Sequence, residues 1–214
     1  MEKNLYLSGI TEHEVEVISC EKLENLHFKI VLNQTPFHPQ GGGQPSDLGT
    51  IDESEVMHVS FENGKIIHEC KQAVPLGQVY AKVNQQQRHF HSRLHSAGHL
   101  IGHIVETYGW QPIKAQHWPS DAKVQFNATE KSEEIDPIQL KSLLKQSIEA
   151  DFPAHISINK DGFREIAFGH FSAYPCGGTH VQSLAEIGEI KIQKIEIKKG
   201  KLSIRYALEA GDAG

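Results

Sequence analysis

"QQQRHFHSRLHSAGHLIGHIVETYGW", residues 85–110, divides the chain into two kinds of sequence. It holds no proline, and Leu94, Ala97, Leu100, Ile101, Ile104 and Val105 recur at helical spacing. The pattern predicts a helix from about Gln86 to Thr107, ending at Tyr108-Gly109. Ahead of it the rhythm is that of strands. "HEVEVISCEKLENLHFKIVLNQTPFHP" (13–39) carries two strand-like runs, and "GTIDESEVMHVSFENGKIIHEC" (49–70) carries two more. Asn63-Gly64 supplies a hairpin turn between the second pair. "PLGQVYAKVN" (75–84) adds another strand. Short strands with Gly, Pro and Asn turns predict a small β-barrel over 1–86.

Behind the helix the chain is mixed. "DPIQLKSLLKQSIEA" (136–150) predicts a second helix, with Asp136 as N-cap and Pro137 at its first position. "HISINKDG" (155–162) and "IGEIKIQKIEIKKGKLSIRYALEA" (187–210) return to strands, the last pair turning at Lys199-Gly200. The expected architecture is α+β: an N-terminal small β-barrel, then an α+β domain over 87–214 with an antiparallel sheet and one long helix.

Composition narrows the function. With 38% hydrophobic and 22% charged residues, a globular chain of this length can bury a real core. A net charge of −6 argues against a broadly basic nucleic-acid binder, though not against a local basic strip. The N-terminal residues lack the apolar stretch of a signal peptide, and no run approaches the roughly 20 apolar residues of a membrane span. Cys20, Cys70 and Cys176 are odd in number and far apart, so no disulfide framework is expected and a cytoplasmic setting is.

Histidine is over-used, at 14 residues. His91, His95, His99 and His103 are each four apart, which on a helix puts them along one face. Two imidazoles at that spacing form half of a metal site. "CGGTH" (176–180) holds a thiol and an imidazole four residues apart, and its glycines allow a tight turn aiming both side chains one way. Together the halves make a nitrogen and sulfur set suited to zinc. The spacing leaves open which histidine pair is meant, and Cys176 with a histidine would also serve as nucleophile and base. A solvated face is the expectation for His91 and His103.

"RLHSAGHL" (93–100), then "CGGTHV" (176–181), then "EIGEIKI" (186–192) and a closing hairpin resemble the editing domain of alanyl-tRNA synthetase and its freestanding AlaX relatives. "PQGGGQPSDLGTI" (39–51) resembles the glycine-rich motif ahead of that domain. The resemblance covers nearly the whole chain and implies the medium-length AlaX type. It implies one zinc ion per chain held by His95, His99, Cys176 and His180, on a long zinc-binding helix. The implied enzyme is an aminoacyl-tRNA deacylase that removes serine, and also glycine, from mischarged transfer RNA for alanine. If all four ligands bind at once the site is closed, and His180 is the ligand expected to exchange.

For the substrate the resemblance points to Gly41, Gly42, Gly43, Gln44 and Asp47, the alternative being a β-turn with Asp47 capping it. Gly98, where synthetase relatives often carry threonine, and Gln116 are the expected lining of the amino-acid pocket. Thr179 is the candidate hydroxyl donor to substrate. Arg88, Arg93, Lys198, Lys199 and Arg205 are the candidates for RNA phosphates. No membrane and no stable protein partner are implied. Two rival readings share the zinc: a deacylase of another aminoacyl-tRNA or a small ester, and a non-catalytic RNA-binding module with structural zinc.

Overall fold

The structure is a computed structural model and describes residues 3–209. The chain runs β1 (Lys3–Asn4), a 3-10 turn (Leu5–Ser8), β2 (Glu12–Lys22), β3 (Phe28–Leu32), β4 (Gln34–Thr35), β5 (Gly49–Ile51), β6 (Ser54–Glu62), β7 (Lys65–Cys70), β8 (Gly77–Val83), α1 (Gln85–Glu106), β9 (Gln111–Gln116), β10 (Ala122–Asn127), α2 (Pro137–Glu149), β11 (Ala154–Ile158), β12 (Arg164–Phe168), β13 (Tyr174–Pro175), a second 3-10 turn (Leu184–Ile187), β14 (Ile190–Lys198) and β15 (Lys201–Leu208). It divides into two compact units, Met1–Arg88 and His89–Gly214. The first is an N-terminal barrel and the second is α+β.

In the first unit β2, β3, β7, β6, β5 and β8 close a barrel in that order. Buried positions alternate in β2, at Val15 and Val17, while β7 buries Ile66, Ile67 and His68 in a row; the barrel is filled by Ile30, Leu32, Ile51, Val56, Val59, Ile66, Ala81 and Val83. Asn63 and Gly64 both have positive φ, at 49° and 80°, which is the two-residue hairpin turn their sequence predicts. The glycine-rich motif makes a second such turn. Gly41 and Gln44 exchange backbone hydrogen bonds of 3.2 and 2.9 Å across Gly42 and Gly43, whose φ values are 56° and 78°. Gly49, the last glycine of the motif, sits where β5 crosses β8. A Cβ there would lie 2.1 Å from the Lys82 carbonyl oxygen, so the barrel seam admits only glycine.

His68 is fully buried in the first unit. Its Nδ1 donates to the Ile30 carbonyl at 3.2 Å, and its Nε2 accepts from the Thr35 hydroxyl at 2.7 Å. Burial pushes its pKa down to about 4 from 6.5. The folded value lies below the unfolded one, so the contribution to stability is complete above about pH 6.5 and is lost as pH falls toward 4. His68→Gln removes the titration. In urea unfolding at pH 7 and pH 4, the variant is expected to lose about 3 kcal/mol less than the wild type between those pH values. Equal losses would show that His68 does not set the acid sensitivity.

In the second unit all six periodic residues of α1 are buried. They share one core with Ala122, Val124 and Phe126 of β10 and with Leu202, Ile204, Tyr206 and Leu208 of β15. The sheet order is β14-β15-β10-β9, antiparallel throughout, and β11, β12 and β13 form a second antiparallel sheet. Asp136 caps α2 by accepting from Ile138 N at 2.8 Å, with Pro137 at the first position. Among the described residues no helix is long and apolar enough to cross a membrane.

Candidate metal centre

The second unit brings His95 and His99, one turn apart on α1, against Cys176 and His180 of the loop after β13. One donor atom from each lies within 4.8 Å of the others. The Cys176 Sγ is 3.3 Å from His95 Nε2 and 3.2 Å from His180 Nε2. A tetrahedral zinc with bonds of about 2.0–2.3 Å spaces its donors roughly 3.5 Å apart, so this set fits that ion.

The surroundings explain how the set is aimed. With Nε2 of His180 toward the thiol, its Nδ1 donates to the Ser96 hydroxyl oxygen at 3.1 Å. Ser96 also accepts the Val181 N–H at 3.2 Å and is fully buried. Such a contact fixes the ring and its tautomer. Arg164 of β12 donates to the carbonyls of Cys176 at 2.6 Å and Gly178 at 3.2 Å, which pins the loop. The Thr179 hydroxyl lies 2.7 Å from the Ser92 hydroxyl, buried against α1. Gly177 neither adopts positive φ nor is crowded, since an added Cβ meets nothing within 4 Å. The bend of the loop therefore comes from these polar ties and not from glycine's freedom at that position.

Burial is the largest influence on four groups at the site. Burial raises the Cys176 thiol, with Gly178 N–H and Arg164 partly opposing. Burial, then the nearby His117, His103 and Arg164, holds His99 well below 6.5. Burial alone takes His117 down to about 3 and His103 down to about 4.

Several expected roles change place. His91 and His103 are not solvated: they are 3% and 4% exposed. His103 stacks between Tyr174, at 4.1 Å, and Phe171, at 5.1 Å, because the helix face that carries the ligands also faces the core. Gln116, expected in the pocket, donates to the Asp121 carboxylate at 3.0 Å, and its neighbour His117 stacks on His95 instead. Gly98 packs against His117, whose Cε1 would lie 2.3 Å from a Cβ at that position. In the first unit Asp47 and Arg88 are buried as an ion pair, so neither the carboxylate nor the guanidinium is available to substrate or phosphate as expected. Gln44 is fully buried, while Gly41 and Gly42 are exposed at the turn.

Arg93 donates to the Ile187 carbonyl at 2.9 Å and to the Glu209 carbonyl at 3.3 Å. Arg205 pairs with Asp121, and Lys198 with Glu196. Lys199 is exposed at the tip of the β14–β15 hairpin, with φ of 51° beside Gly200 at 72°. Nothing in the spacing flagged Ser96, Arg164, His117 or Tyr206: Ser96 lies inside the ligand turn but its partner His180 is distant in sequence, and the other three reach the site only through tertiary packing.

Residues 163–203 match the family model of the threonyl and alanyl tRNA synthetase second additional domain. The chain is 32% identical to the alanyl-tRNA editing protein AlaX-M of Pyrococcus horikoshii, over 84% of this chain and 87% of that one. It is 28% identical to the AlaX-M protein of Methanosarcina acetivorans, over 96% and 97%. It is also 29% identical to the alanine–tRNA ligase of Haloquadratum walsbyi, where it spans only 26% of the longer protein. The near end-to-end match with the editing proteins, together with the convergent His and Cys donors, places it: the chain belongs to the alanyl-tRNA editing protein AlaX family.

Proposed function

We propose that this protein hydrolyses the ester joining a wrong amino acid, serine above all and glycine as well, to transfer RNA for alanine. Water adds across the ester, giving the free amino acid and an RNA with its terminal hydroxyl restored. The observation that carries this reading is the convergence of His95, His99, Cys176 and His180 on one point. These residues would hold one zinc ion on α1 and its facing loop. Bound there, zinc supplies a Lewis acid that polarises a carbonyl or lowers the pKa of a water toward about 7.

The chain's own groups do the positioning. Ser96 restrains His180, the ligand that sequence reasoning expected to exchange, and Arg164 and Thr179 hold the loop that carries Cys176. Serine exceeds alanine by one hydroxyl, a group a binding site rejects poorly, and a second hydrolytic site answers that weakness. The exposed end of the glycine-rich turn, Gly41 and Gly42, is the part of that motif offered to the charged RNA. Lys198 and Lys199, exposed at the hairpin tip, are the cations offered to its phosphates. Aminoacylated RNA is made in the cytoplasm, and we place the protein there.

The test is deacylation of serine-, glycine- and alanine-charged transfer RNA for alanine by the zinc-loaded protein. Serine is expected to be released fast, glycine measurably and alanine at the uncatalysed rate. Stripping the metal with a chelator is expected to abolish release, and added zinc to restore it. Zinc bound at one per chain with all three charged RNAs intact would leave the structural-zinc module as the correct account. Release from other charged RNAs or small esters only would leave a different deacylase.

A further inference from the structure

His117 belongs to neither half of the ligand set, yet it lies against it. It directly follows β9, is 2% exposed, and stacks on the His95 ring with centroids 4.2 Å apart and planes 21° apart. Its Nδ1–Cε1 edge lies over Gly98. A Cβ at 98 would come within 2.3 Å of Cε1, 2.6 Å of Nδ1 and 2.8 Å of the Tyr206 hydroxyl. Gly98 is therefore glycine so that this imidazole can sit beside the HxxxH turn.

The tautomer is set by the next contact. His117 Nδ1 is 2.7 Å from the Tyr206 hydroxyl, and that hydroxyl is 3.0 Å from the Leu94 carbonyl oxygen. Tyr206 is 1% exposed, and it has one hydrogen to give. Giving it to His117 would leave two oxygen atoms facing each other, unbonded, in a buried place. Tyr206 thus donates to Leu94 and accepts from His117. Nδ1 carries the hydrogen, and Nε2 presents a lone pair. Among the described residues that lone pair engages no hydrogen-bond partner. The Nε2 atom keeps a little solvent access, so a ligand that brings a donor can reach it and make the bond in place of water.

We propose that His117 is the specificity-determining residue of this site: its Nε2 accepts the hydrogen bond of the serine side-chain hydroxyl. The assignment rests on the deacylase reading and names what that site recognises. Alanine and glycine bring no such donor. The α-ammonium group is common to all three amino acids and cancels in a comparison between them.

His117→Phe keeps a ring against His95 and removes the acceptor. His117→Gln keeps an acceptor near the same position. Each is assayed with serine- and glycine-charged RNA, for zinc content, and for binding of non-hydrolysable seryl and glycyl amides of the terminal adenosine. The expected result for His117→Phe is a fall of at least about tenfold in the serine-to-glycine ratio of kcat/KM and of amide affinity. Zinc stays at one per chain and glycine release is little changed, while His117→Gln recovers part of the ratio. Serine and glycine release falling together, or loss of zinc, would overturn the assignment in favour of a packing or chemical role. An unchanged ratio with zinc retained would overturn it outright. A wild-type protein that releases neither amino acid is the failure of the deacylase reading itself, visible before any variant is made, and takes this assignment with it.

Discussion

Cys176→Ala is expected to lose zinc and to lose deacylation by more than about 100-fold, the upper range set by outer-shell partners alone. The thiol is the donor that the two halves share, at 3.3 Å from the helix histidine and 3.2 Å from its own loop partner. Its removal takes the sulfur donor out of the set and leaves three imidazoles. The fold itself is expected to stand, because the loop keeps the Arg164, Ser96 and Thr179 ties.

The same variant separates the metal from the nucleophile reading of Cys176. A nucleophilic cysteine needs a lowered pKa, and burial here pushes the thiol up. Metal analysis and single-turnover deacylation on the one sample give the answer. Zinc and activity lost together support ligation. Activity lost with zinc retained at one per chain would make Cys176 the nucleophile, and both retained would remove it from the site.

How much of this was legible in the sequence differs by element. α1 was readable because six apolar residues at helical spacing all found the same core. The turns at Asn63-Gly64 and Lys199-Gly200 were readable because positive φ is a local demand. β9 was not: "QPIKAQ" is an edge strand with no buried residue and a proline inside it, so it carries no alternation. β10 does alternate, in Ala122, Val124 and Phe126, but it is short and follows a loop rich in polar residues. In the site, the ligand spacing was local and the register came from resemblance. The surroundings were not local at all. Ser96 meets His180 across 84 positions, and His117 meets Tyr206 across 89. The histidine face shows the same limit. An i, i+4 row on a helix has no label saying whether it meets water or core, and His103 met Tyr174 and Phe171.

Arg88→Met is expected to destabilise the protein by about 3–5 kcal/mol, the cost of leaving one partner of a buried ion pair alone. Asp47 is fully buried, and the Arg88 side chain is 6% exposed. Arg88 Nε reaches both carboxylate oxygens, at 2.8 and 2.9 Å, and its Nη2 bonds Asp47 again and the Pro36 carbonyl at 2.7 Å. The His38 N–H adds a bond of 2.5 Å to the same carboxylate. With the guanidinium gone, the carboxylate keeps one donor and no counter-charge, in a place water does not reach. For a chain of this size the loss corresponds to a fall in Tm on the order of 10 °C. Adding Asp47→Leu to Arg88→Met is expected to recover part of it, since removing both charges restores a neutral interior. Thermal unfolding of the wild type, the single and the double variant reads the effect directly. If Arg88 instead served RNA phosphates, Arg88→Met would leave Tm unchanged and weaken RNA binding with a shallower salt dependence. The acidic residue of the glycine-rich motif would then be free for substrate.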